Sequence, residues 1–375
     1  MNDGRSSLQD SARSYTLATA PGRLVAIGHA LALARDPVRF LASLPQYADL
    51  VKIKLGPWCA YVLCHPDLIR DVGLDDRAFD KGGPFWDKAR QAVGNRLASC
   101  PHQDHRRQRR LTQPAFRRDR MPGYARIMGT RIAEEMSHWE HGQHMDVPAR
   151  MHGMAATIAA RTIFATQLRR SDITRIQWCI EQFTAGLARH VVLPSGLADT
   201  LPTPANRRFR RAKSELRALT ERFIAVYRAE VFDRGDLLSV LLAARDDDGS
   251  ALSDELVTDH LVSFLVAGIE TVANTLSWAL YLLAIHPDIR ERLHNEVDAV
   301  LGGRIACYED LESLKLTRCV VEETLRLYPR WMDEYPCNYC PVCYRWPSGA
   351  ARCGHLVQSP RSAATRRSIP QTRPL

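Results

Sequence analysis

The chain has 375 residues, 45% apolar and 25% charged, with 51 basic against 42 acidic side chains and a net charge of +9. This excludes a wholly disordered chain, a collagen-like polymer and a small disulfide-stapled fold, and the length suffices to bury a large core without cross-links. The charge is concentrated: residues 101–131 hold nine arginines against Asp104 and Asp119, residues 330–375 hold seven against Asp333 and Glu334, and the rest is slightly acidic.

Residues 1–19 contain no apolar run followed by a small-residue cleavage site, so no secretory signal is read and the segment is taken as a flexible N-terminus. Six cysteines, Cys59, Cys64, Cys100, Cys179, Cys307 and Cys319, are scattered without framework spacing. They are expected to be reduced thiols of a cytoplasmic protein. Leu50-Val51-Lys52-Ile53-Lys54-Leu55 alternates, Gly56-Pro57 turns, and Ala60-Tyr61-Val62-Leu63 follows, which predicts a hairpin. After His65-Pro66 the helical period takes over. Helices are predicted over 106–111, 124–139, 149–164, 207–227 and 237–245.

Ser253 is placed to cap a long helix whose first turn carries Asp254 and Glu255, where the helix dipole favours negative charge. From Leu261 to Ile285 the only charged side chain is Glu270. Such a stretch is long enough to span a bilayer. A mid-helix carboxylate would cost about 2.5–3.5 kcal/mol there, and no second span accompanies it. A buried central helix fits better, and no membrane association is expected. His286-Pro287 ends this helix. The next carries Ile289, Leu293, Val297 and Val300 on one stripe up to Gly302-Gly303, and a last one runs over 315–327 to Tyr328-Pro329. The fold class is mainly α with a small β element, one domain over residues 20–329.

Three groups of residues suit chemistry. Ala267-Gly268-Ile269-Glu270-Thr271 lies mid-way along the long helix. A glycine there costs about 1 kcal/mol relative to alanine, and an adjacent acid and alcohol are expensive unless hydrogen-bonded. They read either as a satisfied polar pair in a kinked helix or as groups handling protons beside a ligand lying over Gly268. Glu323 and Arg326, at i,i+3, present a bidentate pair on one helix face. His105 and Arg109, at i,i+4, direct two donors the same way, suited to a carboxylate or phosphate or simply to a solvated basic helix.

In this order and spacing the three groups resemble the cytochrome P450 haem-thiolate monooxygenases over residues 20–329, with Pro21-Gly22 to Gly28-His29 and the hairpin resembling that family's opening segment. The resemblance implies the cytochrome P450 fold and a haem b held by a cysteine thiolate. It implies that Ala267, Gly268 and Thr271 lie beside the haem, that Glu270 and Thr271 relay protons to bound dioxygen, that His105 and Arg109 hold the propionates, and that Glu323 and Arg326 brace the core. It also implies a hydrophobic small-molecule substrate and a ferredoxin or flavoprotein electron donor, which the basic patch at 101–131 would steer. The stretch Leu201-Pro202-Thr203-Pro204 is most similar to soluble bacterial members acting on terpenes.

One element of the family pattern is missing. No Phe-x-x-Gly-x-x-x-Cys-x-Gly loop occurs in the chain, and Arg352-Cys353-Gly354 follows Glu323 too closely and lacks the phenylalanine. Residues 330–375 hold seven arginines, six prolines and four cysteines without apolar periodicity. They read as an irregular, disordered tail, as from a frameshifted or truncated end, leaving the fold incomplete at its C-terminus and the polypeptide inactive. The alternative is a zinc site on Cys337, Cys340, Cys343, Cys353 and His355, with arginines touching nucleic acid, although the spacing matches no standard module.

Overall fold

The computed structural model describes residues 14–328, apart from 57, 76–77, 84–85, 88–89, 91–93, 95, 165–168, 193–200, 230–235 and 247, together with 343–345 and 351–353. The chain divides into two compact units, Met1–Phe79 with Cys340–Leu375, and Asp80–Tyr339. The expectation from the sequence is one domain over residues 20–329.

In the first unit, β2 (Leu50–Leu55) and β3 (Trp58–Leu63) form the predicted antiparallel hairpin, paired from Leu50↔Leu63 to Leu55↔Trp58. The alternation works as read: Val51 and Ile53 are buried, while Lys52 and Lys54, which alternate with them, are not. The sheet extends beyond the prediction. β1 (Leu17–Thr19) pairs parallel with β2, so folded structure begins before residue 20. Two three-residue strands, β4 (Cys343–Arg345) and β5 (Ala351–Cys353), add to β3 within the stretch read as irregular. Strands this short carry too few residues to show a period. Helices α1 (Ala30–Arg35), α2 (Pro37–Ser43) and α3 (Pro66–Leu74) accompany the sheet. Gly28 has φ +64°, and a Cβ there would collide with the Lys54 carbonyl, so only glycine fits. This lets buried His29 accept from the Lys54 amide at Nδ1 and donate to the Ala20 carbonyl from Nε2, both at 2.9 Å.

The second unit is helical: α4 (His102–Thr112), α5 (Met121–Met136), α6 (Val147–Phe164), α7 (Arg170–Val192), α8 (Pro204–Ala229), α9 (Leu237–Ala243), α10 (Asp254–Ile285), α11 (Pro287–Leu301) and α12 (Lys315–Leu327). Predicted centres agree, with ends moved by at most four residues. Helix α7 was not predicted, although Ile173, Ile176, Ile180 and Phe183 form a helical stripe, the last three buried. Ser253 caps α10 by accepting from the Leu256 amide, and Gly302 ends α11 with φ +56°.

Helix α10 packs chiefly against α6 and also against α8. Its residues Val257, Leu261, Leu265 and Ile269 enter a core with Phe164, Leu216, Leu238 and Leu241. It is the one described helix long and apolar enough to cross a membrane, and most of its apolar stretch is buried in protein.

Between α7 and α8, Phe183 stacks on Phe209 at 5.3 Å. The Phe209 ring occupies the space a Cβ on Gly186 would need. Gly186→Ala is therefore expected to lose about 1–3 kcal/mol in urea unfolding, the usual effect of overpacking, despite alanine's better helix propensity.

Candidate active site

The residues of the three groups, His105 with Arg109, 267–271, and Glu323 with Arg326, all lie in the second unit. Their supports differ in kind: an exposed cation on α4, a polar insertion in the buried centre of α10, and an open face on α12.

Helix α4 buries Gln108, Leu111 and Thr112. On the remaining faces, His105 is half-buried and Arg109 is exposed, its guanidinium without an ion-pair or hydrogen-bond partner among the described residues. The patch around it is partly neutralised. Arg107 forms a two-pronged pair with Asp246, one Nε–Oδ1 bond measuring 2.7 Å, and this pairing raises the guanidinium's pKa further. Arg131 pairs with Glu134 and Arg117 with Asp119. Arg109 therefore remains available to an anionic group, which suits the role given to it by resemblance.

On α10, Thr271 is buried and its hydroxyl donates to the Ala267 carbonyl at 2.6 Å. Glu270 is 3% exposed, and both carboxylate oxygens lack a hydrogen-bond partner. It faces a cleft of about 430 Å³ bounded by α6 and α7, whose other polar lining includes Asp146, His152, Glu181, Thr184 and Asn274. The Nδ2 of Asn274 is likewise unpartnered. The reading of Glu270 and Thr271 as a satisfied polar pair holds for the alcohol, which is satisfied by its own helix, and not for the acid, which is left open. A buried carboxylate without partners is destabilising. Glu270→Gln is accordingly expected to raise stability by about 1–2 kcal/mol at neutral pH in denaturant unfolding, and a loss would contradict this account.

Ala267, one turn before, is exposed, and Gly268 is half-buried. A Cβ on Gly268 would lie 3.9 Å from the Ala159 Cβ on α6, an ordinary contact, so packing alone does not demand glycine there. On α12, Arg326 grips Glu323 with Nε–Oε2 and Nη2–Oε1 bonds of 2.7 and 2.6 Å. The guanidinium holds the Glu323 carboxyl below the usual carboxylate range. The pair is bidentate as predicted, but exposed, where such pairs contribute little to stability. Trp278 of α10 stacks on Tyr328 at 3.9 Å and 5°, tying the end of α12 to the central helix.

Sequence reasoning missed one cluster here. Asp259 on α10 is gripped by Arg96, through Nε and Nη2 at 3.0 and 2.6 Å, and by Arg217 of α8. Beside it His260 is fully buried with neither ring nitrogen hydrogen-bonded. The available signal was the polar run Thr258-Asp259-His260 at the start of an otherwise apolar helix.

A haem thiolate needs an anionic sulfur, and the thiols of Cys64, Cys100, Cys179 and Cys307 are held towards the neutral form. Burial pushes Cys64 up to about 11 and Cys179 to about 12, and raises Cys100. The hydrogen bond to Asp310 raises Cys307. Among the described residues no three His, Cys, Asp or Glu side chains are grouped to hold a metal ion. The side chains of Cys337, Cys340, Cys343, Cys353 and His355 lie outside the described residues. The free cation of Arg109 and the open Ala267–Gly268 face fit the edge and one face of a haem, whereas among the described residues the axial ligand has no counterpart.

A mainly helical fold, a central helix carrying an acid and an alcohol at its middle, and a bidentate Glu-x-x-Arg helix packed against it define the class of haem-thiolate oxygenases. The cytochrome P450 family profile matches residues 19–332, and the chain belongs to that family. It is 44% identical over 322 residues to cyclooctat-9-en-7-ol 5-monooxygenase of Streptomyces melanosporofaciens, covering 85% of this chain and 70% of that protein. It is 43% identical over 319 residues to pentalenene oxygenase of Streptomyces avermitilis, covering 85% and 71%. Against cyclooctatin synthase of Streptomyces melanosporofaciens it is 42% identical over 327 residues, covering 87% and 71%. Members of this family use haem, act on hydrophobic substrates and take electrons from a redox partner. Nothing in these matches supports the zinc or nucleic-acid alternative.

Proposed function

We propose that this chain carries the oxygen-side half of a cytoplasmic monooxygenase that inserts one atom of O2 into a hydrophobic, terpene-like molecule. The observation that carries this reading is the α10 centre: Thr271 Oγ1 is anchored on the Ala267 carbonyl, and the buried, unpartnered Glu270 carboxylate opens to a polar cleft next to it. A buried acid kept at a cost to stability is the usual mark of a group retained for chemistry. The names of the three relatives point to the same substrate class. In the family, a thiolate-ligated haem supplies the splitting of the O–O bond. Here Arg109 and His105 would hold its propionates, Ala267 and Gly268 would line its face, and Glu270 and Thr271 would hold protons on the oxygen side. A ferredoxin or flavoprotein would donate electrons, drawn by the arginines of residues 101–131.

The same reading makes the 375-residue polypeptide inactive on its own, because no ligand loop occurs in its sequence. The test is the spectrum of purified protein given haem, reduced and exposed to carbon monoxide. The expected result is no band of the thiolate-ligated type. Such a band, abolished by Cys353→Ser, would establish an unconventional ligand and an active enzyme.

A further inference from the structure

The cleft bounded by α6, α7 and α10 is acidic and rich in open acceptors. Three carboxylates line its volume of about 430 Å³: Glu270 in the buried wall, and Asp146 and Glu181, which are exposed. Among the described residues that line it there is no lysine or arginine, although the chain as a whole carries a net charge of +9. Both Glu270 oxygens are unpartnered at 3% exposure. Thr184 has committed its hydroxyl proton to the Ile180 carbonyl at 2.7 Å, so towards a ligand it can only accept. Asn274, one turn after Glu270, is buried with an unpartnered Nδ2. Its amide can turn to present the carbonyl oxygen, because the nitrogen has no bond to give up. A buried anion surrounded by acceptors is matched by a donor that carries positive charge.

We propose that this cleft binds an aliphatic diammonium compound, with one ammonium against Glu270 and Asn274 and the other served by Asp146 and Glu181. The inference goes beyond the function proposed above and uses only the charge and position of these side chains. The spacing of the acids selects such a ligand over a bare metal ion. Among the described residues no three His, Cys, Asp or Glu side chains are grouped closely enough to share one ion, so the three carboxylates stand apart around the cleft. A cation with a charge at each end serves the buried acid and the exposed ones together, whereas a single ammonium serves one of them. The space is of the size usual for small-molecule sites. Glu270 is already out of water in the free protein, so binding need not desolvate it, and an ion pair there is little screened. Pairs with the exposed Asp146 and Glu181 contribute less.

The test titrates the full chain with 1,4-diaminobutane and 1,6-diaminohexane at constant ionic strength, read by calorimetry and by the thermal midpoint. The expected result is one site per chain, a midpoint that rises with ligand concentration, and at least about tenfold weaker binding of butylamine. Glu270→Gln keeps the shape of the wall and should weaken the tighter diamine at least about tenfold. This variant is expected to start from a higher midpoint than the parent, so its loss of binding is not a loss of fold. Asp146→Asn with Glu181→Gln should weaken the diamine by about two- to fivefold. Asparagine at 146 retains the oxygen that accepts from the Ala149 amide at the head of α6. No saturable binding of either diamine up to about 10 mM would leave the cleft to water and overturn the proposal. Equal affinity for butylamine would overturn the two-ended cation. Unchanged binding by Glu270→Gln would place the diamine elsewhere on the chain. Displacement of the diamine by an equal concentration of Mg²⁺ or Ca²⁺ would assign the cleft to a metal ion instead.

Discussion

Asp259→Asn is expected to destabilise the protein by about 3 kcal/mol, read as a lower urea midpoint with an unchanged slope. The carboxylate joins three segments: Arg96 ahead of α4, Arg217 on α8 and its own helix α10. Asparagine keeps the size and one acceptor but removes the charge, leaving two partly buried guanidinium groups facing a neutral amide. The loss is mainly the penalty of those uncompensated charges, so Arg96→Met and Arg217→Met added to Asp259→Leu should recover much of it. If Asp259→Asn alone left stability within 0.5 kcal/mol or so, the cluster would be as weak as an ordinary surface ion pair.

The second large effect concerns acid stability. Burial, with Arg96 and Arg107 nearby and only partly offset by Asp259, lowers the pKa of His260 from 6.5 to about 4. Above pH 6.5 the ring is neutral in both folded and unfolded chains and pH has no leverage through it. As pH falls from 6.5 towards 4, the unfolded chain takes up the proton first, so stability declines by about 3 kcal/mol over that window and then levels off. His260→Leu, whose side chain suits the pocket beside Phe264, should remove this part of the acid limb while leaving stability near pH 7.5 little changed. The comparison is between urea-unfolding free energies of the two proteins at pH 7.5 and 4.5. Equal acid losses in both would mean that His260 is accessible to protons in the folded state.

These two groups also show how function and stability divide the central helix. Its first third spends polar residues on tying α8 and the segment ahead of α4 together. Its middle holds an acid with no partner, which weakens the fold and opens to a cleft. Its last third is apolar and only partly covered, with Leu280, Tyr281 and Ile285 exposed. Only the middle was singled out from the sequence, because an acid–alcohol step flanked by Ala267 and Gly268 stands out locally.

Much of the local structure was legible. Helix α12 was placed at its observed ends, the hairpin pairing followed from alternation, Ser253 and Gly302 were identified as terminators, and Glu323 with Arg326 proved bidentate. Each of these depends on residues within about four positions, or on a two-residue turn, so nearest-neighbour geometry determines it. What lay beyond reach was set by segments distant in the chain. Asp259 meets partners 163 and 42 residues away, and His260 is perturbed because helices enclose it. Glu270 faces a cleft made by α6 and α7, and the covering of α10 changes at its middle although its apolar character does not. The sequence by itself therefore determined most of the helices of the second unit, two of their terminators, the family and the absence of a ligand loop, all of which are properties of order and spacing. Only the tertiary structure decided which charges are paired, which acid is left open and which apolar face is bare, because burial depends on what packs against a residue and not on the residue alone.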